Sequence, residues 1–399
     1  MPLLTQPALR RFRRAPFLLL VALTACGTLA MHMIIPALPA TAEALDVSTG
    51  TIQLTITLYL IGLAIGQLLH GPVSDRFGRR PVLLIGLTLY TVAGLVAGAA
   101  PNATVLIIAR VFQAVGGCAG LVLGRAIVRD SASPDRAAGQ LGLLTLVMAA
   151  MPAIAPVIGG YATAYIGWRA SFILLAALGG ATLLATVLLL PETLGPRGEG
   201  RGARSMFYAY LRLLRSRAFC GYAIGGACTT TSFYAFMSAS PFIFEHMLHR
   251  SPQEIGLYYL VLMGGVGLGG LTANRLAGRL RPRAALRIAN GLAISGAAMF
   301  AFADLADWLT VPSMVAPVAL FMVGAGMASP FAIAGAVSVN PQAIGAASGL
   351  YGFVQMGYGV FCTVVVETWS PGAVYPVATV LLGSAVLGQA ALAVAVKRA

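Results

Sequence analysis

Arg110 stands two helical turns inside an apolar run that begins near Ala103, and Gln113, Gly117, Gly120 and Gly124 follow it on the same helical face. A guanidinium at that depth is costly in hydrocarbon, so it either faces a polar cavity or snorkels to the nearer surface. Thr24, Thr28 and His32 recur at four-residue steps in the first apolar run and form a polar stripe that ends in a titratable ring. His32 is open to two readings, a hydrogen-bonding residue or a proton carrier. A third stretch holds Thr229, Thr230, Thr231, Ser232, Phe233, Tyr234, Phe236, Met237 and Pro241. Small hydroxyls beside aromatics and methionine suit an adaptable binding pocket, although an aromatic stripe also packs helices. Tyr59, Gln113, Tyr351 and Gln355 join Phe233, Tyr234, Phe236 and Met237 as candidate substrate contacts.

These residue types bind and move protons; they do not make a catalytic set. GxSxG, phosphate-loop and HExxH patterns are absent. The 4 histidines lack ligand spacing, and the 5 cysteines are odd in number, lie in apolar runs and form no CxxC. The sequence therefore predicts no enzyme activity, no cofactor, no metal and no disulfide. Without a nucleotide site, work must come from an ion gradient or from the substrate's own gradient.

Such residues need elements that hold them within a bilayer. The chain is 58% hydrophobic and 10% charged, where a soluble domain carries about 25% charge. A net charge of +14 raises the question of nucleic acid, but no basic patch interleaves with exposed aromatics. The charges fall between apolar runs, the pattern of a polytopic membrane protein. Twelve spans are predicted: 16–40, 52–70, 81–100, 103–127, 138–163, 169–190, 219–244, 255–274, 284–306, 311–337, 345–367 and 373–396. Leu23 to Cys26 looks like a lipoprotein cleavage box, but the apolar run continues well past Cys26 and makes it a span. Of the 26 lysines and arginines, all but Arg110, Arg169 and Arg250 lie in the two tails and the even-to-odd connections or beside them. The positive-inside rule then places both termini in the cytoplasm. The longest connection, 191–218, divides the spans six and six. Residues 195–203 read as disordered, and 204–217 as an interfacial amphipathic helix.

The connection after the second span reads Gly71-Pro72-Val73-Ser74-Asp75-Arg76-Phe77-Gly78-Arg79-Arg80. Gly71 and Pro72 are expected to end one helix and Gly78 to permit a tight turn. The string resembles the cytoplasmic signature between the second and third helices of major facilitator transporters, in the form found in drug-efflux members of the Bcr/CflA type. The Arg110 face resembles that superfamily's fourth-helix signature. Pro152, Pro156, Gly159 and Gly160 share one face of the fifth span and resemble the antiporter signature, with Ala155 in place of a usual glycine. Pro36 to Pro39 resembles the end of the first Bcr/CflA helix, but His32 stands where that pattern has an aspartate. Weak repeats, such as Gly270 to Arg275 against Gly71 to Arg76, relate the two halves.

The resemblance implies an all-α fold of twelve helices in two pseudo-symmetric six-helix bundles, 1–190 and 219–399, joined by 191–218. It implies a monomeric, multi-pass protein of the bacterial inner membrane that exports small, largely apolar drugs in exchange for protons. The partners expected are a small-molecule substrate, protons and the lipid bilayer, and no nucleic acid. Exchange would run by alternating access about a midplane site. It also implies roles: His32 and Arg110 in proton coupling, and Gly71, Asp75, Arg76, Gly78, Arg79 and Arg80 with Arg129 and Asp130 in an inner gate. In that gate Asp75 would meet the start of the eleventh helix near Gly345. Export of a sugar or amino-acid derivative and a non-transporting sensor on the same scaffold are the alternatives the residues leave open.

Overall fold

A computed structural model describes residues 16–131, 134–194, 203–277, 279–280, 282–340, 344–370 and 372–396. Helices account for nearly all of it, and the described residues contain no strand. In chain order they are α1 (Phe17–His32), α2 (Leu38–Ala44), α3 (Thr49–Phe77), α4 (Arg79–Gly98), α5 (Ala103–Ser131), α6 (Pro134–Tyr165), α7 (Arg169–Leu189), α8 (Ala203–Arg215), α9 (Arg217–Thr231), α10 (Phe233–Phe242), α11 (Pro252–Leu276), α12 (Pro282–Leu305), α13 (Val311–Ser338), α14 (Ile344–Trp369) and α15 (Val374–Val396). Eleven stretches are long and apolar enough to cross a membrane, with α1 and α2 counted as one. The seventh predicted span is the exception. It divides at Ser232 into α9 and α10 and ends in a π-helical turn, Ile243–Met247.

Local chemistry sets the ends. Pro36 and Pro39 lack an amide hydrogen, and each sits in the first turn of a new segment, so α1 yields to a 3₁₀ turn and then to α2. Ser48 caps α3 by accepting from the Thr51 amide, and Ser251 and Glu254 form a reciprocal capping box on α11. One expectation needs correction: Gly71 and Pro72 do not end α3. The helix runs on through Phe77, and the chain turns only at Gly78, whose φ of 102° favours glycine. The amphipathic helix foreseen at 204–217 is α8, but it does more than lie at an interface: Ala209, Tyr210 and Leu213 pack on Phe219, Leu350 and Tyr351. The disordered stretch expected at 195–203 lies, apart from Ala203, outside the described residues.

Apolar side chains such as Ile85, Ile108, Phe112, Leu188, Leu268 and Phe302 stay exposed on the outer faces of the helices, where lipid tails would cover them. Inside, α5 is the hub of the first six spans and packs on α1, α3 and α4. In the later set α13 packs on α11, α12 and α9, and α15 on α9 and α12. Two seams join the sets, α6 against α11 and α3 against α14. Small residues make the first seam close: a Cβ on Gly160 would strike the carbonyl of Pro252, and one on Gly256 that of Pro156.

Candidate functional site

Between the two sets lies a cavity of about 950 Å³. It opens on the face where the arginine-rich connections gather. Gly71, Asp75, Arg79, Arg129 and Gly345 line its mouth, and His32, Gln67, Phe233, Tyr234, Tyr351 and Gln355 its deeper wall. Met31, Met263, Met322 and Met356 add soft apolar surface. Gln355 Nε2 donates to Thr230 Oγ1 at 2.8 Å and ties α14 to α9 across the wall.

The opposite face is shut where α3 meets α10 and α14. Gln53 Nε2 of α3 donates to the Ser238 carbonyl of α10 at 3.0 Å. Thr57 Oγ1 of α3 lies 2.6 Å from Glu367 Oε1 and 2.9 Å from Thr363 Oγ1, both on α14. Gln53, Thr57, Thr363 and Glu367 are all buried.

Four of the eight expected substrate contacts line the cavity: Phe233, Tyr234, Tyr351 and Gln355. The other four do not. Phe236 and Met237 are fully buried one turn further toward the closed face, where Phe236 packs with Phe233, Phe244 and Phe300. Tyr59 and Gln113 are fully buried as well, because both serve Arg110. Arg110 Nη1 donates to the Ala30 carbonyl at 2.8 Å and to Gln113 Oε1 at 2.7 Å. Its guanidinium lies 4.0 Å from the centroid of the Tyr59 ring, and Tyr59 in turn donates to the Gly27 carbonyl at 3.0 Å. Arg110 thus neither snorkels nor faces the cavity; it clamps α1, α3 and α5 from behind. His32 does line the cavity. Its Nδ1 is 2.9 Å from the Thr28 carbonyl, which can only accept, so Nδ1 carries the hydrogen and Nε2 is the basic nitrogen.

At the mouth, Asp75 of α3 pairs across the Gly78 turn with Arg79 at the start of α4 at 2.6 Å, and Arg79 Nε with Asp130 at 3.0 Å. Arg79 also donates to Ser74 Oγ. Asp75 therefore faces Gly345 across an open cavity rather than touching α14. Arg80 donates to the Val187 carbonyl at 2.8 Å, and Arg76 stacks on Phe77. Of the antiporter residues, Pro152 lines the cavity, while Pro156 and Gly160 face α11 and Gly159 faces the Met33 carbonyl.

Three positions escaped the sequence reading. Glu192 caps α4 by accepting from the Arg79 amide at 3.0 Å and the Arg80 amide at 3.2 Å; the signal was a carboxylate just past a span in Pro191-Glu192-Thr193-Leu194. Gln67 lies hard against Gly352 in the cavity wall. Arg125 lines the cavity above Arg129, and its Nη2 lies 3.6 Å from the sulfur of Met148.

A cavity open to one face and sealed to the other, between two sets of spanning helices, has known counterparts. The sequence profile of the Major Facilitator Superfamily matches residues 20–363. The chain is 30% identical over 350 residues to Multidrug resistance protein D of Escherichia coli, covering 87% of each chain. It is 33% identical over 334 residues to a Chloramphenicol resistance protein of Pseudomonas aeruginosa, covering 82% of this chain and 76% of the relative. The fold resembles that of a bacterial homolog to the human lysosomal transporter Spinster in an inward-facing, unoccupied conformation, with a TM-score of 0.68 at 16% identity over 96% of this chain and 95% of the other. The chain is a multi-pass membrane transporter, not an enzyme, and belongs to the major facilitator superfamily.

Proposed function

We propose that this transporter exports small, largely apolar drugs or toxic compounds across the bacterial inner membrane in exchange for protons. The observation that carries the reading is the cavity: it is open on the arginine-rich face, closed on the other where α3 meets α10 and α14, and its deeper wall is made of aromatic rings, methionine and a few polar groups. That is one end state of alternating access. The names of the Escherichia coli and Pseudomonas aeruginosa relatives, which refer to multidrug and chloramphenicol resistance, support a drug as cargo.

The moving bodies in this proposal are a monomer's two bundles, 1–190 and 219–399, linked by 191–218. The arginine-rich face is cytoplasmic and holds both termini, in keeping with the distribution of basic residues. The cargo contacts Phe233, Tyr234, Tyr351 and Gln355. His32 Nε2 takes up a proton from the cavity, and Arg110 couples α1 to α3 and α5. In the alternate state the mouth closes as Asp75 and its arginine cluster approach the start of α14. No nucleic acid takes part.

The test is efflux from cells that express the chain against cells that do not. Expression is expected to lower the potency of several unrelated apolar drugs, and Tyr234→Ala to restore potency at an equal membrane level. Unchanged potency across a broad apolar panel would contradict the reading.

A further inference from the structure

The α3–α14 seam raises a question of proton count. Four oxygens lie in sequence: the Val360 carbonyl, Thr363 Oγ1, Thr57 Oγ1 and Glu367 Oε1. The three contacts between them measure 2.9, 2.9 and 2.6 Å. Each contact needs one hydrogen, and the carbonyl has none. Thr363 donates to Val360, and Thr57 has a single hydrogen to donate to Thr363. The third contact, the shortest, then needs its hydrogen from the carboxyl. An ionised Glu367 supplies none and leaves one of the three unmade. It would also place a buried charge at the negative pole of the last turn of α14.

We propose that Glu367 is a proton-binding site that latches the face opposite the cavity mouth: protonated, it donates to Thr57 and holds α14 on α3; ionised, it releases the seam. The latch goes beyond the drug-export reading and uses a residue distinct from His32 and Arg110. Groups with charge or titratable protons on the packed elements are engaged elsewhere. On α3, Tyr59 is turned to Gly27, and on α10, Tyr234 packs at Gly359, two turns below. On α15, Tyr375 packs edge-on against Trp369, and on α14 itself Tyr358 bonds Ser384. Glu245 interacts with His246 and Glu43 beyond the end of α10. Among the described residues, the side chain in hydrogen-bond contact with the Glu367 carboxyl is Thr57.

Two measurements on the full chain in nanodiscs test this. The first is the infrared C=O stretch of a protonated carboxyl. The wild type is expected to show the band and Glu367→Gln to lack it. Thr57→Val is expected to shift its frequency, because the acceptor is removed. The second is hydrogen–deuterium exchange of residues 49–57 and 360–369, corrected for intrinsic pH dependence. Protection is expected to fall as pH rises in the wild type and to stay constant in Glu367→Gln, whose amide keeps a donor at every pH. A band that survives in Glu367→Gln, a frequency unmoved by Thr57→Val, or the same pH response in the wild type and in Glu367→Gln would overturn the proposal. Drug export enters neither readout, so failure here is separate from failure of the export reading.

Discussion

Arg110 shows how one buried charge orders its surroundings. Its Nη1 donates to both the Ala30 carbonyl and Gln113, and its guanidinium lies over the Tyr59 ring, an arrangement suited to the planar fork of a guanidinium. Arg110→Lys keeps the charge but not the fork, so gradient-driven export is expected to fall at least tenfold. Arg110→Ala strands the Ala30 carbonyl and Gln113, with an expected loss of about 1–3 kcal/mol for each unsatisfied group, read as a lower thermal midpoint in detergent. Arg125 poses a different question. Asp75 and Asp130 both pair with Arg79, and among the described residues Arg125 and Arg129 line the cavity wall without an ion pair to a carboxylate. Cationic amphiphiles are therefore expected to be poorer cargo than neutral ones of the same size, and Arg125→Gln to narrow that gap. A competition assay with matched neutral and cationic probes reads it; equal competition in the wild type would contradict the expectation. Sequence alone placed Arg110 correctly as an intramembrane charge. Neither a cavity-facing nor a snorkelling arginine matches its buried place among α1, α3 and α5, because periodicity gives the helical face but not what covers that face.

At the scale of elements, hydropathy and caps were enough to locate the spanning helices. They were not enough to divide the seventh span at Ser232 or to carry α3 through Pro72. Pro72 costs one backbone bond, which composition reads as a stop. Phe236 and Met237 read as pocket residues for a related reason: depth along a span is invisible in residue type, and one turn of α10 separates the cavity wall from the sealed core. The seams give the sharpest tests of how the elements move. Gly160→Ala sets a methyl group against the Pro252 carbonyl and must part α6 from α11. Export is expected to fall severalfold at normal membrane level, with faster hydrogen exchange in residues 156–160 and 252–256; unchanged exchange would show that the seam tolerates the methyl. Asp75→Asn removes the pair of an exposed carboxylate with Arg79 across the α3–α4 turn, worth about 0–1 kcal/mol. The thermal midpoint should hardly move while export drops, if Asp75 works in the alternate state. A loss of stability in step with export would tie it to this state instead.

The whole molecule is a cavity with one door open. Its two sets of helices touch at α3–α14 and α6–α11 and part on the arginine-rich face. The spanning helices were legible in the sequence, because a bilayer fixes the length of a spanning helix; a division into two halves is what the long connection leads us to propose. Which face is open is a balance between contacts far apart in sequence, such as Thr57 with Glu367, and no local pattern encodes it. The account holds that this one cavity loads drug on the arginine-rich face and exchanges it for protons. Purified protein in liposomes, oriented with that face outward and given a neutral fluorescent apolar drug with an imposed pH gradient, acid inside, tests this directly. Drug accumulation that follows the gradient, stops with a protonophore and is lost in Tyr234→Ala is the predicted result. Accumulation that is absent, or indifferent to the gradient, would contradict it.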